Sequence, residues 1–157
     1  RQGKIMKVSV ADIKKLRERT GAPISDCQKA LEQAKGNFEK ALEILKAKGA
    51  EIVAKKASRA TGQGLIETYV HTDGRVAAMV ELSCETDFVA RTEDFKNLAH
   101  ELALQIASMD PADVNDLLHQ EYIRDQARTV EDLVTEVIAK TGENIKVKRF
   151  VRFELGQ

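Results

Sequence analysis

The sequence predicts an α+β protein in which a bundle of three short helices precedes a small antiparallel sheet packed with helices. Apolar residues recur at helical spacing through the first fifty residues, and from Leu65 they alternate with polar residues as in a strand. The pair Asp73-Gly74 then separates two β-rich runs, which is typical of a hairpin. We therefore expect a tail over residues 1–7, a helical module over 8–49, a basic linker over 50–63 and an α+β core domain over 64–157.

Capping residues and glycines divide the module into three helices. Ser9 is placed to cap the first helix, which Gly21 ends, and Ser25 is placed to cap the second. Asn37 is a suitable cap for a third helix, which we expect to end at Gly49. Three short helices joined by tight glycine turns predict a compact bundle of the ubiquitin-associated (UBA-like) type.

The linker region is basic, with Glu51 as its single acid. Between residues 46 and 59 the basic side chains are Lys46, Lys48, Lys55, Lys56 and Arg59. They fit a solvated helical connector, and they also fit a patch that attracts an acidic partner.

The core domain is predicted from changes of period and from helix stop signals. We expect strands over 65–71 and 75–84, a helix from about Thr92 to Asp110-Pro111, a less regular stretch, a helix from Thr129 to Gly142 and a final strand over 145–155.

Composition restricts the class of partner. The 157 residues include 25 basic and 25 acidic side chains, so the net charge of zero gives no electrostatic support for direct nucleic-acid binding. No apolar run approaches the roughly 18 residues of a membrane span. With only Cys27 and Cys84, a disulfide scaffold is not expected and a reducing compartment such as the cytoplasm fits.

The residues that could support catalysis are not in catalytic patterns. The chain has no glycine-rich phosphate loop, and its histidines lack metal-ligand spacing: His71, His100 and His119. Cys84 lies in an apolar strand, and the carboxylates near it (Glu81, Glu85 and Asp87) are spread along extended chain. We therefore expect no enzyme, no cofactor and no metal site, with a thiol or carboxylate enzyme as the weakest alternative.

Phe88 is the residue that the fold alone explains least. It lies between a strand and a helix, where turn residues are normally polar. Phe88 could fold back to pack near Phe95 as a hydrophobic staple, or it could be an exposed anchor for a partner's pocket. The residues alone leave both interpretations open.

The stretch Cys84-Glu85-Thr86-Asp87-Phe88-Val89-Ala90-Arg91 resembles the signature of the elongation factor Ts family, which exchanges the nucleotide of elongation factor Tu. Three further segments are similar to that family in the same order: 16–31, 49–57 and 149–156. The resemblance implies a translation factor that acts in a bacterial cytoplasm or in an organellar matrix or stroma.

The resemblance also implies roles for individual residues. Thr86, Asp87, Phe88, Val89 and Ala90 match the family segment that enters the GTPase near its magnesium site. There Phe88 would insert between helices, and Asp87 would disturb the magnesium coordination.

In the helical module, Arg17 and Ile24 match family positions that touch the GTPase domain. The stretch Ala22-Pro23-Ile24-Ser25 replaces the family's usual glycine and paired methionines there. A different class of function, a ubiquitin-binding adaptor, would use the same loop but leaves residues 60–157 unexplained.

The chain resembles a short form of the family. Residues 108–115 are nearly all that remains of a longer segment, so the resemblance implies a single core subdomain. Short forms resemble half-factors completed by pairing, which implies a homodimer built partly on the final strand. Val151 stands where a short relative can have a cysteine, so no disulfide would join the two copies.

Overall fold

The computed structural model describes residues 7–157, so residues 1–6 of the predicted tail lie outside the described part of the chain. Helices and a small antiparallel sheet confirm the α+β class, and the chain divides near Lys55 into two compact units. In order, the elements are α1 (Val10–Thr20), α2 (Ile24–Gln33), α3 (Phe38–Lys56), β1 (Gln63–Val70), β2 (Val76–Cys84), α4 (Asp87–Ala90), α5 (Glu93–Met109), α6 (Val114–His119), β3 (Glu121–Tyr122), β4 (Asp125–Thr129), α7 (Val130–Thr141) and β5 (Ile145–Glu154).

The first unit contains three helices around a small apolar core. The Asp12 amide donates to Ser9 Oγ at 3.0 Å, which confirms Ser9 as the cap of α1, and Gly21 ends that helix at φ 66°. The Lys40 amide donates to Asn37 Oδ1 at 3.1 Å, as predicted for α3. The core side chains come from all three helices: Leu16, Cys27, Ala30, Leu31, Ala34, Ala41, Leu42 and Leu45.

Two predicted helix boundaries are wrong. Helix α2 begins at Ile24, one residue before the predicted cap Ser25. Pro23 occupies the cap position; its fixed φ suits a helix start, and its ring has no atom that could accept a capping hydrogen bond. Helix α3 continues through Gly49 to Lys56. A glycine inside a helix costs only about 1 kcal/mol, and good helix formers surround this one, including Glu51 paired with Lys55 at 3.2 Å.

The second unit is built on a three-stranded antiparallel sheet of order β1-β2-β5. Its buried face, which includes Val80 and Leu82 of β2, packs against helix α5, whose Leu98 and Leu102 are also buried. The opposite face, here called the outer sheet face, carries large apolar side chains that are 41–72% exposed: Ile66, Val70, Met79, Val151 and Phe153.

A close backbone approach joins β1 to β2 at Gly64. Its φ is +146°, and a Cβ at this position would lie 2.1 Å from the carbonyl oxygen of Leu82. Glycine is therefore required here by both conformation and space.

The second unit also contains helices α6 and α7 and the short strands β3 and β4. Thr129 and Asp132 form a capping box at the start of α7, and Gly142 ends the helix at φ 74°, both as predicted. Helix α6 and the β3–β4 ribbon occupy the stretch for which no regular element was predicted. The buried side chain of Gln105 supports this ribbon through bonds to the Glu121 carbonyl at 3.0 Å and the Ile123 amide at 3.0 Å.

Candidate functional site

The candidate site is the Thr86–Ala90 turn, which connects the end of the central strand to helix α5. Strand β2 ends at Cys84, and Thr86 caps the four-residue helix α4 in extended conformation (φ −127°, ψ 156°). Its Oγ1 accepts a hydrogen bond from the Val89 amide at 3.3 Å. The chain therefore passes from strand β2 to helix α5 through one capped helical turn.

Phe88 is the exposed side chain of this turn. Its ring is 78% exposed, whereas its neighbours Val89 and Ala90 are 8% and 9% exposed. The hydrophobic-staple interpretation is therefore wrong. Val89 and Ala90 occupy the inward side of the short helix, and Phe95 is already fully buried in the core, so the side chain of Phe88 is left on the solvent side.

Asp87 lies beside Phe88 at the start of α4. Its carboxylate pairs with the Arg91 guanidinium at 2.7 Å, and both side chains are more than half exposed. A pair this exposed contributes at most about 1 kcal/mol. The carboxylate is therefore readily available to another cation or hydrogen-bond donor.

The carboxylate of Glu143, from the α7–β5 connection, accepts hydrogen bonds from the start of the turn. Glu143 Oε1 accepts the amides of Glu85 at 3.1 Å and Thr86 at 2.9 Å, and its Oε2 accepts the Thr86 hydroxyl at 2.7 Å. The next residue, Asn144, is buried, and its amide donates to Glu85 Oε1 at 2.8 Å. Sequence reasoning did not identify either residue, because they lie nearly sixty positions along the chain from the turn.

The three carboxylates near Cys84 each face a different cation. Asp87 pairs with Arg91, Glu85 lies 3.6 Å from Arg59, and Glu81 lies 3.6 Å from Arg149, so each has its own cation. Within residues 7–157, no group of three or more potential ligands from His, Cys, Asp and Glu could hold a metal ion.

Cys84 is buried, and its thiol donates to the Thr86 carbonyl at 3.1 Å. Burial raises the pKa of this thiol, and the negative charge of Glu143 raises it further. The thiolate is the nucleophilic form of cysteine, so these surroundings oppose thiol catalysis.

The two residues singled out in the helical module flank the turn between α1 and α2. Arg17 lies in the last turn of α1, and its carbonyl accepts the Gly21 amide at 2.7 Å. Ile24 is the first residue of α2 and is 54% exposed. Arg17 is also exposed, so both side chains are accessible beside the α1–α2 turn.

The histidines have local partners. His71 Nδ1 lies 3.0 Å from the Tyr69 hydroxyl, and the ring of His100 meets that of Tyr69 edge-on at 6.2 Å. His119 Nδ1 lies 2.7 Å from the Asn115 carbonyl oxygen.

Among the described residues, no helix is long and apolar enough to cross a membrane.

Comparison with known proteins found similarity over nearly the whole chain. Residues 85–157 match the family model described as Elongation factor TS. The elongation factor Ts of Thermotoga neapolitana is 44% identical, with 97% of this chain and 99% of the relative covered. That of Thermotoga maritima is also 44% identical, over 97% of this chain and 98% of the relative.

A more distant relative gives the same result. The elongation factor Ts of Moorella thermoacetica is 40% identical over 96% of both chains. These alignments run over 195 residues whereas this chain has 157, so the relatives carry residues that have no counterpart here.

Proposed function

The chain belongs to the elongation factor Ts family, and we propose that it promotes release of GDP from elongation factor Tu during translation elongation by disturbing the magnesium site of that GTPase. The observation that carries this proposal is Phe88, an aromatic ring 78% exposed on a capped turn. Exchange makes and breaks no covalent bond, so the chain acts as a binding protein. The proposed place of action is the bacterial cytoplasm.

The proposed mechanism begins with Phe88. An exposed ring gains free energy when it enters an apolar pocket, and inserted between two helices it would move them apart. Asp87 would then lie near the magnesium site of the GTPase. Magnesium neutralises the nucleotide phosphates, so weakening its coordination removes much of the attraction that retains GDP.

Linkage limits what such a factor can do. If the factor weakens GDP binding, GDP weakens binding of the factor by the same ratio. The same reciprocity applies to GTP, so the factor does not select the nucleotide. The cellular excess of GTP sets the direction, and the factor lowers the barrier to exchange.

The first unit supplies a second contact in this proposal. Its three helices would form the UBA-like module of the family, and Arg17 and Ile24 would touch the GTPase domain. Their accessibility at the α1–α2 turn supports this assignment. Pro23 occupies the cap position between them, so this contact would be made by a stiffened turn.

Self-association is the third part of the proposal, with a second copy of the chain as the occupant of the outer sheet face. Five large apolar side chains are exposed there, and Glu81 and Arg149 pair beside them at 3.6 Å. A twofold axis would place this apolar area against itself, with charges of both signs next to it. Light scattering at micromolar concentration tests this part, and a fully active monomer contradicts it.

The experiment that tests the main proposal is release of a fluorescent GDP analogue from purified elongation factor Tu. We expect micromolar amounts of the protein to accelerate release at fixed magnesium concentration. Excess magnesium should suppress the acceleration, because it restores the coordination that the turn disturbs. Release at the spontaneous rate in the presence of folded protein would refute the proposed function.

A further inference from the structure

We propose that Glu143 is a positioning residue for nucleotide exchange, because it fixes the turn that presents Phe88 although it does not itself touch the partner. This inference rests on the proposed function, since it assigns a cause to the orientation of the residue that would enter the GTPase. It concerns a residue nearly sixty positions from the Thr86–Ala90 turn.

Glu143 supplies hydrogen-bond acceptors where the sheet stops. Strands β2 and β5 pair as far as Cys84 and Ile145, and the next two amides of the chain lie beyond the ladder. Glu143 Oε1 accepts both of these amides, at 3.1 Å from Glu85 and 2.9 Å from Thr86. Hydrogen bonds to a carboxylate are about twice as strong as neutral ones. The side chain of Glu143 therefore takes the place of a strand partner for these two amides and sets where the turn begins.

Glu143 also orients the hydroxyl of Thr86. It donates to Glu143 Oε2 at 2.7 Å and accepts from the Val89 amide at 3.3 Å. Because the hydroxyl hydrogen points at the carboxylate, a lone pair of Thr86 Oγ1 faces the Val89 amide. Helix α4 has four residues, far fewer than an isolated helix needs to persist in water. Burial of Val89 and Ala90 holds the inward side of this helix, and the cap that fixes its first turn uses a hydroxyl oriented by Glu143.

Glu143 is itself held in place by its neighbours in the chain. Gly142 ends α7 at φ 74°, and the side chain of Asn144 donates to the Arg59 carbonyl at 2.8 Å. The Asn144 amide donates to Glu85 Oε1 at 2.8 Å, so residues 143–144 and 85–86 bond in both directions. The carboxylate is therefore a fixed support for the turn.

Removing the carboxylate should reduce exchange through the orientation of Phe88. If the turn then adopts the correct orientation for only about a tenth of the time, the apparent affinity for the partner falls about tenfold. We expect a loss of about this size in the second-order rate constant of exchange for Glu143→Ala. Glu143→Gln keeps an oxygen that can accept both amides but replaces the acceptor of the Thr86 hydroxyl by an NH2 donor, so it should restore part of the activity.

Glu101 offers a matched control. Its carboxylate also joins distant parts of the second unit, accepting from the Tyr122 hydroxyl at 2.5 Å and from Arg124 at 2.7 Å. Glu101→Ala should lower the thermal midpoint of unfolding and leave the exchange rate constant within about twofold of the wild type. A general loss of stability would affect both variants in the same way, so the comparison isolates positioning.

A double-mutant cycle provides the decisive measurement. In a Phe88→Ala background, Glu143→Ala should reduce exchange by a smaller factor than in the wild type, because only the placement of Asp87 is then left to lose, while it still lowers the thermal midpoint. Hydrogen exchange of the Val89 amide should become faster in Glu143→Ala and stay unchanged in Glu101→Ala. Should Glu143→Ala be unfolded, Thr86→Val removes the shared hydroxyl at nearly constant volume and takes its place in both measurements.

The outcomes are distinguishable. Unchanged exchange and unchanged Val89 protection in folded Glu143→Ala would overturn the inference while leaving the proposed function intact. Additive losses in the double mutant would also overturn it. If the wild type fails to accelerate release, the proposed function fails, and the hydrogen-exchange measurement still decides whether Glu143 orders the turn.

Discussion

The substitution Phe88→Ala separates binding from folding more cleanly than any other change in the turn. Because the ring is 78% exposed, its removal deletes little packing from the folded protein. We expect the free energy of unfolding to change by at most about 0.5 kcal/mol.

The same exposure sets the size of the functional effect. Burying a phenylalanine side chain fully is worth roughly 1.5–3 kcal/mol, and more than three quarters of this ring remains to be buried on binding. The expected loss of binding free energy is therefore about 1–2 kcal/mol, which corresponds to about 5–30-fold in the second-order rate constant of GDP release.

The assay is stopped-flow release of fluorescent GDP from elongation factor Tu, with unfolding by urea measured in parallel. Met109→Ala is the matched control, because Met109 is 49% exposed and lies at the far end of α5 from the turn. Exchange that is undiminished in folded Phe88→Ala would refute the role assigned to this ring. An equal loss in Met109→Ala would show that the effect is not specific to the turn.

Three further predictions test other parts of the structure. Gly64→Ala should lower the free energy of unfolding by about 3 kcal/mol or more, because a Cβ there meets the Leu82 carbonyl at 2.1 Å in a backbone region that strains other residues; Gly62→Ala, with open space around it, is the control in urea unfolding. The thiol of Cys84 should react with iodoacetamide far more slowly in the folded protein than in urea, because burial raises its pKa. The pKa of this thiol is higher in the folded than in the unfolded protein, so its contribution to the free energy of unfolding is complete below about pH 8.5 and is lost as the pH rises through the folded pKa. Thermal unfolding measured against pH checks this. Ile24→Ala should weaken binding to elongation factor Tu about 2–10-fold in titration calorimetry without lowering the thermal midpoint, whereas Val10→Ala, also an exposed apolar residue of the same unit, should leave binding unchanged.

Local signals in the sequence predicted most of the secondary structure. Ser9 and Thr129 cap the helices for which they were named, and Gly21 and Gly142 end helices in the left-handed conformation. These signals act within one turn of a helix, so neighbouring residues suffice to interpret them. Gly49 misled the prediction because the preference for a helix stop at glycine is weak, and the surrounding residues favour helix on both sides.

Tertiary features were harder to predict because they depend on distant residues. Glu121 and Asp125 begin the β3–β4 strands, which are too short and too polar to give an alternating pattern. The orientation of Phe88 depends on which neighbours already fill the core, and the sequence does not show that Phe95 is fully buried. The contact of Glu143 with the turn spans nearly sixty residues and matches no short motif.

The strand order has a consequence for how this sheet can meet other chains. Strand β5 lies at an edge of the sheet, and its ten residues carry four basic side chains and one acidic one. A second β5 aligned against that edge would bring like charges together along its length, which disfavours extension of the sheet into a continuous ribbon and protects against aggregation. In the proposed pairing, contact between copies would therefore be directed away from the hydrogen-bonding edge and toward the broad apolar side of the sheet.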